Sequence, residues 1–288
     1  MRRLHLFEIH EQSWCPSVIK DAVRDGLFTA WKILFWRNAL PHVNDLLSKL
    51  EHPRLIDLCS GSGGPIPLFT DILLEQHPDI QIALTDYYPC RNWKNPMGES
   101  EVISYIADSI DATNVPDTLK GCRTLFEAFH HFKPEDAVTI LSDAVSSKQP
   151  IAIFEFQRAR LLDIFCLPLL AVVPVASFLQ FFHTRFSWSK LIFTIIPIVP
   201  FILAFDGLIS VLRTYSTPEL KELAHKAGSE GYRWEVRQSL DKSWGLMTCL
   251  IGWPSEDDGV HFVEYESVLE KRSCSNNNLD ASNPILAR

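Results

Sequence analysis

The chain has 288 residues and a formal net charge of -8, and 47% of its residues are hydrophobic. This length accommodates one doubly wound α/β domain with additional segments, and the acidic balance argues against a nucleic-acid partner, which would require a basic face. Seven cysteines at scattered positions, an odd number without metal-ligand spacing, favour reduced thiols over a disulfide framework.

The first 50 residues are predicted to form a helical cap. The amphipathic pattern from Val18 to Leu50 is typical of helices that cover a site and narrow the access to it. No sustained apolar run follows the two arginines at the amino terminus, so the sequence does not predict a cleaved signal peptide.

A glycine-rich turn follows a short apolar strand that ends at Asp57. Gly61 and Gly63 in this turn allow positive φ and leave no side chain between the backbone and a ligand. The pattern predicts a loop that wraps a nucleotide-type cofactor at the carboxyl end of a parallel strand. A plain connection between a strand and a helix is the alternative.

Four further strands are predicted downstream, at 81–84, 102–106, 124–132 and 150–156. Asp86 follows the first of them, where a carboxylate can accept both hydroxyls of a ribose. A helix is predicted at 133–147, and the last strand is apolar throughout, as expected of a strand buried on both faces. The alternation of strands and helices predicts a doubly wound parallel sheet, that is, a Rossmann-like α/β fold.

These motifs resemble the class I S-adenosylmethionine-dependent methyltransferases over most of residues 54–254. The resemblance implies that the loop holds the methionine part of the cofactor, that Asp86 binds its ribose, and that a segment after the third strand binds adenine. The loop residues are Asp57, Cys59, Ser60, Gly61 and Gly63, with Cys59 where the family often has glycine, and the adenine segment contains Asp111 and Ala112. The spacing of Gly61, Gly63 and Gly64 is not the G-x-G-x-x-G expected of a dehydrogenase.

The resemblance extends to the end of the sheet and to the amino terminus. Residues 234–240 and 244–253 resemble the antiparallel pair of strands that closes the sheet in this family. The segment from Leu6 to Pro16 resembles a cap that closes over the cofactor, in which Trp14 either stacks on the ligand or fills the core.

Several side chains are candidates for the chemistry. If the methyl acceptor is a hydroxyl, His130 or His131 is the natural base, because imidazole titrates near neutrality, and Glu155 is a second candidate. A structural role for these histidines is the alternative. The segment 205–215 resembles a substrate-side segment, so Asp206, Arg213 and Tyr215 are expected to face the acceptor. A pair of Asp206 and Arg213 that only pins a helix is the alternative. No metal site is predicted, since the other histidines lack partners at ligand spacing.

Two apolar segments, Leu161–Phe182 and Leu191–Leu212, interrupt the catalytic pattern. Each is long enough to cross a hydrocarbon core of about 30 Å, although Asp163, Asp206 and several prolines interrupt them. Arg158 and Arg160 precede the pair and would mark a cytoplasmic side. We expect a membrane-inserted helical hairpin with the catalytic domain facing the cytoplasm. A re-entrant or interfacial pair and an apolar lid within a soluble protein are the alternatives.

Five segments are therefore expected: a cap at 1–50, a cofactor-binding core at 51–157, the apolar insertion at 158–212, the end of the catalytic domain at 213–254, and a mostly flexible tail at 255–288. A helix-like stretch begins at Phe262. The expected function is S-adenosylmethionine-dependent methylation of a lipophilic small molecule at a membrane. The alternatives are a soluble methyltransferase with an apolar lid and a catalytically silent, membrane-anchored scaffold. The sequence does not predict the oligomeric state.

Overall fold

The computed structural model describes residue 3 and residues 6–34, 36–90, 93–98, 100–156, 166–184, 186–241, 245–257 and 259–264. Asp163, Arg158 and Arg160, the beginning of the first apolar segment and the chain after Glu264 lie outside the described residues.

An eight-stranded mixed sheet forms the centre of the described structure. Its order is β3-β2-β1-β4-β5-β7-β6-β8. Strands β1 to β5 are parallel, β7 runs antiparallel to both β5 and β6, and β8 is parallel to β6. The strands are β1 (Arg54–Asp57), β2 (Gln81–Leu84), β3 (Ile103–Tyr105), β4 (Cys122–Phe126), β5 (Ile151–Phe156), β6 (Tyr232–Asp241), β7 (Gly245–Pro254) and β8 (Gly259–Glu264). The predicted doubly wound sheet with closing antiparallel strands is confirmed.

Eight α-helices accompany the sheet in the described ranges. They are α1 (Ser17–Leu34), α2 (Trp36–Leu47), α3 (Ile66–Gln76), α4 (Pro134–Ser146), α5 (Cys166–His183), α6 (Trp188–Ile195), α7 (Ile198–Arg213) and α8 (Thr217–Ala227). The helix predicted at 133–147 corresponds to α4, with Pro134 in its first turn, where a missing N–H costs nothing.

Both faces of the parallel sheet are buried. Because side chains alternate along a strand, Leu55 packs with the α2 and α3 side, and Ile56 packs with the α4 and α8 side. Both residues are fully buried, and burial of such a side chain contributes about 1.5–3 kcal/mol. The double burial explains why the strands are nearly continuous apolar runs.

The structure differs from the predicted strands at two places. The fourth strand ends at Phe126 rather than at Phe132, and a 3-10 helix, Phe129–His131, follows it. The backbone turns at Glu127, which has φ +49. An eighth strand, β8, lies at the sheet edge where a tail had been predicted, and Phe262 belongs to this strand rather than to a helix.

The described part of the apolar insertion forms three helices rather than two. The second predicted segment divides into α6 and α7 at Ile196 and Pro197, since proline has no N–H to continue the hydrogen-bond ladder. Helices α5 and α7 pack on α1 of the cap. Gly26 allows the close approach, because a Cβ there would lie 2.8 Å from Cδ1 of Leu203.

No helix within the described ranges is, by itself, long and apolar enough to cross a membrane. Helices α6 and α7 together meet those criteria of length and composition, but they are bent by 71° at their junction.

Candidate active site

The glycine-rich loop that follows β1 has a backbone conformation that few residues other than glycine tolerate. Cys59, Gly61 and Gly63 all have positive φ, of 57°, 55° and 102°. The position at which Cys59 replaces a glycine therefore keeps the left-handed backbone that glycine usually provides. No heavy atom lies within 4 Å of the point where a Cβ of Gly61 would stand, so the backbone here borders open space.

Asp57 stabilises this loop through hydrogen bonds. Its carboxylate is buried and accepts a 2.7 Å hydrogen bond from the Thr124 hydroxyl, and its backbone carbonyl accepts one of 2.9 Å from Ser60 Oγ. Burial raises the pKa of the Asp57 carboxyl to about 7, although hydrogen bonds from Ser60 and Thr124 oppose the shift. Asp57 does not line the cavity described below, so it shapes the loop in this structure.

Asp86 joins the loop to the end of β2. One carboxylate oxygen accepts the Gly61 N–H at 2.8 Å, and the other accepts the Tyr88 N–H at 2.8 Å. Each oxygen keeps a further lone pair for a ligand hydroxyl, and Asp86 lines the same cavity as Ser60 and Gly61. The structure thus brings together the predicted loop and the predicted ribose acid.

A cavity of about 580 Å³ opens in front of the loop. Helices α1 and α7 form its walls together with the ends of β2 and β4. Of the predicted site residues, it is lined by Cys59, Ser60, Gly61, Asp86, His130 and His131.

The other predicted cofactor residues do not line the cavity. The exposed Asp111 carboxylate accepts hydrogen bonds from the backbone and hydroxyl of Thr113, and Ala112 packs in the core. Gly63 packs against Leu84 and Trp93, and Trp14 is 66% exposed. The structure therefore does not bring Asp111, Ala112, Gly63 or Trp14 to this cavity.

A buried cluster of histidines and acids lies at the far end of the cavity. His130 Nδ1 is 2.7 Å from Glu155 Oε2, and the His130 N–H donates to Glu155 Oε1 at 3.1 Å. The other ring nitrogen of His130 lies 3.6 Å from Glu8 Oε1. Burial alone would lower the pKa of His130, but the charges and hydrogen bonds of Glu155 and Glu8 outweigh it and raise the pKa to about 10. His130 therefore carries a proton at neutral pH.

His131 has the opposite electrostatic setting. Burial lowers the pKa of His131, and the charge of His130 lowers it further, while Glu11 at Nδ1 opposes the shift. The two imidazole centroids are 4.2 Å apart. The pKa values of these adjacent histidines are displaced in opposite directions. His130 therefore carries a proton, whereas His131 can accept one.

Asp206, Arg213 and Tyr215 fix the amino-terminal segment to the catalytic domain. The Asp206 carboxylate accepts the backbone N–H groups of Ile9 at 2.7 Å and His10 at 3.1 Å. Arg213 Nη1 lies 3.2 Å from a carboxylate oxygen of Glu8, and Tyr215 donates its hydroxyl hydrogen to the Phe132 carbonyl at 2.8 Å. In this structure Asp206, Tyr215 and the buried Glu155 do not line the cavity. Among the described residues, the acid partners of Arg213 are Glu8 and Glu11 rather than Asp206.

Potential metal-ligand atoms of Glu8, His130 and His131 also lie within 4.8 Å of one another. Arg213, however, places its guanidinium 3.2 Å from both Glu8 Oε1 and Glu11 Oε2. A protein cation therefore already balances the acids of this cluster. The expectation that the chain holds no metal stays a prediction.

Sequence reasoning missed five charged residues that line the cavity, namely Glu8, Glu11, Lys20, Arg24 and Glu127. Glu127 directly follows the true end of β4, and its position was hidden because the strand was predicted to continue. Glu8 and Glu11 precede His130 by more than a hundred residues, so no local spacing indicates that they meet. Lys20 and Arg24 lie on an amphipathic helix, where basic residues usually face solvent.

Comparisons with known proteins give likenesses among solved structures only, since no protein-family model and no curated protein matches the chain. An O-methyltransferase family protein from Burkholderia thailandensis is 16% identical with a TM-score of 0.40, over 77% of this chain and 57% of its own. An O-methyltransferase from neocarzinostatin biosynthesis, in complex with S-adenosyl-L-homocysteine and 1,4-dihydroxy-2-naphthoic acid, is 14% identical with a TM-score of 0.45, over 83% and 59%. Human N-acetylserotonin methyltransferase in complex with SAM is 13% identical with a TM-score of 0.40, over 82% and 65%.

The chain spans little more than half the length of the first of these structures. The sheet observed here, parallel over five strands and closed by an antiparallel pair, is the one that the sequence resemblance to class I methyltransferases predicted. The resemblance is confirmed as one of fold.

Proposed function

We propose that the chain is an S-adenosylmethionine-dependent methyltransferase that acts on a lipophilic small molecule at a membrane. The observation that carries the catalytic part is the contact between the Gly61 N–H and the Asp86 carboxylate, 2.8 Å apart at the edge of the cavity. This contact places the backbone of Gly61, which leaves room for a ligand, next to a carboxylate that can accept hydrogen bonds from a ribose.

The residues around the loop fit this cofactor. Asp86 would accept the ribose hydroxyls, and the backbone of Ser60 and Gly61 would border the methionine part. Glu127 would face the α-ammonium group, since it lines the same cavity at the tip of the neighbouring strand β4. When bound, S-adenosylmethionine supplies an electrophilic methyl group for in-line displacement.

The chain's own contribution is then alignment, exclusion of water and movement of one proton. His131 is the imidazole that stays neutral, because its pKa is lowered, and it would accept the proton of an acceptor hydroxyl. Glu11 at Nδ1 favours the tautomer in which Nε2 is the basic nitrogen. His130 keeps its proton and interacts with the neighbouring carboxylates of Glu155 and Glu8.

The apolar insertion supports the membrane part of the proposal. Large apolar side chains are exposed on α5, α6 and the start of α7, among them Phe182 at 82%, Trp188 at 73% and Ile195 at 67%. Several large apolar side chains exposed on neighbouring helices are typical of an interaction site. The bend between α6 and α7 suits an interfacial or re-entrant arrangement better than a simple hairpin, with the sheet on the cytoplasmic side.

Calorimetric titration with S-adenosylmethionine and S-adenosyl-L-homocysteine tests the catalytic part. We expect saturable binding, and Asp86→Asn should weaken it by about 1.5–3 kcal/mol, the value of a hydrogen bond to a charged group. Asp79→Asn, at an exposed position before β2, is the matched control and should bind normally. Absence of binding to the folded wild type would favour the silent scaffold.

Flotation with phospholipid vesicles tests the membrane part. The full-length protein should float with the vesicles, and Phe182→Ser combined with Trp188→Ser should reduce the floating fraction. Met97→Ser removes an exposed apolar side chain outside the insertion and should have no effect. A wild type that stays in the soluble fraction would favour the alternative of a soluble enzyme with an apolar lid.

A further inference from the structure

The face of α1 that lines the cavity changes from basic to apolar along the helix. Lys20, Arg24, Leu27, Phe28 and Trp31 are spaced as a single helical stripe, and all of them line the cavity. The basic pair occupies the first part of the stripe, and the apolar side chains occupy the next two turns. Phe28 and Trp31 are each 7% exposed, so they form a wall rather than a surface patch.

Helix α7 presents a matching stripe from the opposite side. Leu203, Gly207, Ser210 and Val211 follow the same helical spacing and line the same cavity. Gly207 has no heavy atom within 4 Å of the point where a Cβ would stand, which widens the cleft between the two helices. The cleft is therefore a slot with apolar walls and with the basic pair Lys20 and Arg24 at one end of the α1 stripe.

Lys20 and Arg24 are not paired with the acids that line the same cavity. Glu8 and Glu11 are paired with Arg213, and His131 also contacts Glu11. Asp86 and Glu127 line the cavity as well. Among the described residues, Arg24 forms an ion pair only with Asp21, at 3.1 Å on the exposed side of its helix, and no carboxylate lies within ion-pair distance of Lys20. A ligand anion would give this basic pair a partner.

We propose that the methyl acceptor is an acidic lipophile, whose anionic group binds to Lys20 and Arg24 and whose apolar body lies between α1 and α7. This inference rests on the proposed function and specifies its substrate class. An ammonium and a carboxylate, or a guanidinium and a carboxylate, form hydrogen bonds about twice as strong as neutral ones, and an apolar wall strengthens them by excluding water. The slot thus selects for one end of the acceptor by charge and for the rest by burial.

The test compares three probes of equal chain length, octanoate, octan-1-ol and octylamine, by calorimetry on the full-length protein saturated with S-adenosyl-L-homocysteine. We expect octanoate to bind at least about tenfold more tightly than the other two, the factor that corresponds to one charge-assisted hydrogen bond. Equal binding of the three probes, or a preference for octylamine, would overturn the inference. This comparison needs no variant, so it does not depend on the folding of any substitution.

Variants then assign the preference to the basic pair. Lys20→Gln should abolish most of the preference for octanoate, and Lys20→Arg should retain it. Lys32→Gln is the matched control, because this lysine lies on the same helix and does not line the cavity. A Lys20→Gln variant that keeps the full preference would overturn the inference.

The same variants separate the acceptor from the cofactor, which also carries a carboxylate. Lys20→Gln and Arg24→Gln should leave the affinity for S-adenosyl-L-homocysteine within about twofold, since less than one charge-assisted hydrogen bond is then lost. An equal loss of affinity for this ligand and for octanoate would assign the pair to the cofactor and overturn the inference. Failure of the wild type to bind S-adenosyl-L-homocysteine would refute the proposed function instead, and the octanoate preference is then measured without it.

Discussion

His130 is held from one side by Glu155, with 2.7 Å between its Nδ1 and Glu155 Oε2. Both side chains are 1% exposed, and Glu8 approaches the other ring nitrogen. Because β5 provides Glu155 and the amino-terminal segment provides Glu8, the protonated imidazole connects the sheet to the cap.

This contact predicts a pH dependence of stability. The pKa of His130 is about 10 in the folded protein and 6.5 in the unfolded chain, so its stabilising contribution is complete below pH 6.5 and is lost as the pH rises through about 10. Glu155→Gln should lower the free energy of unfolding by about 1.5–3 kcal/mol at pH 6.5, the value of a hydrogen bond to a charged group. Urea unfolding at pH 6.5, 8 and 10 measures both effects. A difference between wild type and variant that does not shrink towards pH 10 would contradict the assignment.

The buried position of Arg213 leads to a second prediction. Arg213 is 3% exposed and contacts both Glu8 and Glu11, so Arg213→Met removes a cation that the two acids share. Loss of one partner of a buried ion pair costs about 3–5 kcal/mol. The matched control is Lys226→Met, which removes the exposed partner of Glu222 and should leave the midpoint of urea unfolding unchanged. Equal effects of the two substitutions would show that the Arg213 cluster does not stabilise the fold.

Much of the sheet could be predicted because its signals are local. The apolar runs at β1, β2 and β5 and the glycines after β1 each specify their own structure, and proline begins α4 as expected. The candidate site was predicted only in part. Its loop and Asp86 belong to one strand-helix-strand unit. Glu8 reaches His130, and Arg213 reaches Glu8, from distant parts of the chain, which no spacing in the sequence indicates.

The mistaken elements also have local causes. Apolar residues continue after Phe126, at Ala128, Phe129 and Phe132, yet the positive φ of Glu127 ends the strand and starts the turn that carries both histidines. Segment length alone predicted one helix at 191–212, but the chain bends at Pro197. Side chains from α1 and α7 that line one cavity could not be matched before the packing of the cap was known.

Asp57 should make the protein less stable as the pH rises from acid towards neutrality. Burial raises the pKa of its carboxyl from 3.8 to about 7, so the folded state binds the proton more tightly than the unfolded chain. The corresponding stabilisation is complete below pH 3.8 and is lost as the pH rises through about 7. Asp57→Asn keeps an acceptor for Thr124 without the charge. The free energy of unfolding should be measured at pH 4, 5.5 and 7. As the pH increases, the stability of the variant relative to that of the wild type should rise. A constant difference between the two would refute the raised pKa of Asp57.

Gly63→Ala should damage the cofactor loop more than the same change elsewhere at positive φ. A Cβ at Gly63, with φ +102, would lie 3.3 Å from both Leu84 Cδ1 and Trp93 Nε1. Gly98, with φ +114, has no heavy atom within 4 Å of its Cβ position, so Gly98→Ala isolates the backbone strain of about 1 kcal/mol. We expect a lower melting temperature for Gly63→Ala than for Gly98→Ala. Only Gly63→Ala should weaken calorimetric binding of S-adenosyl-L-homocysteine, because the displaced loop carries Gly61 away from Asp86. Equal binding by both variants would mean that the loop does not form part of the ligand site.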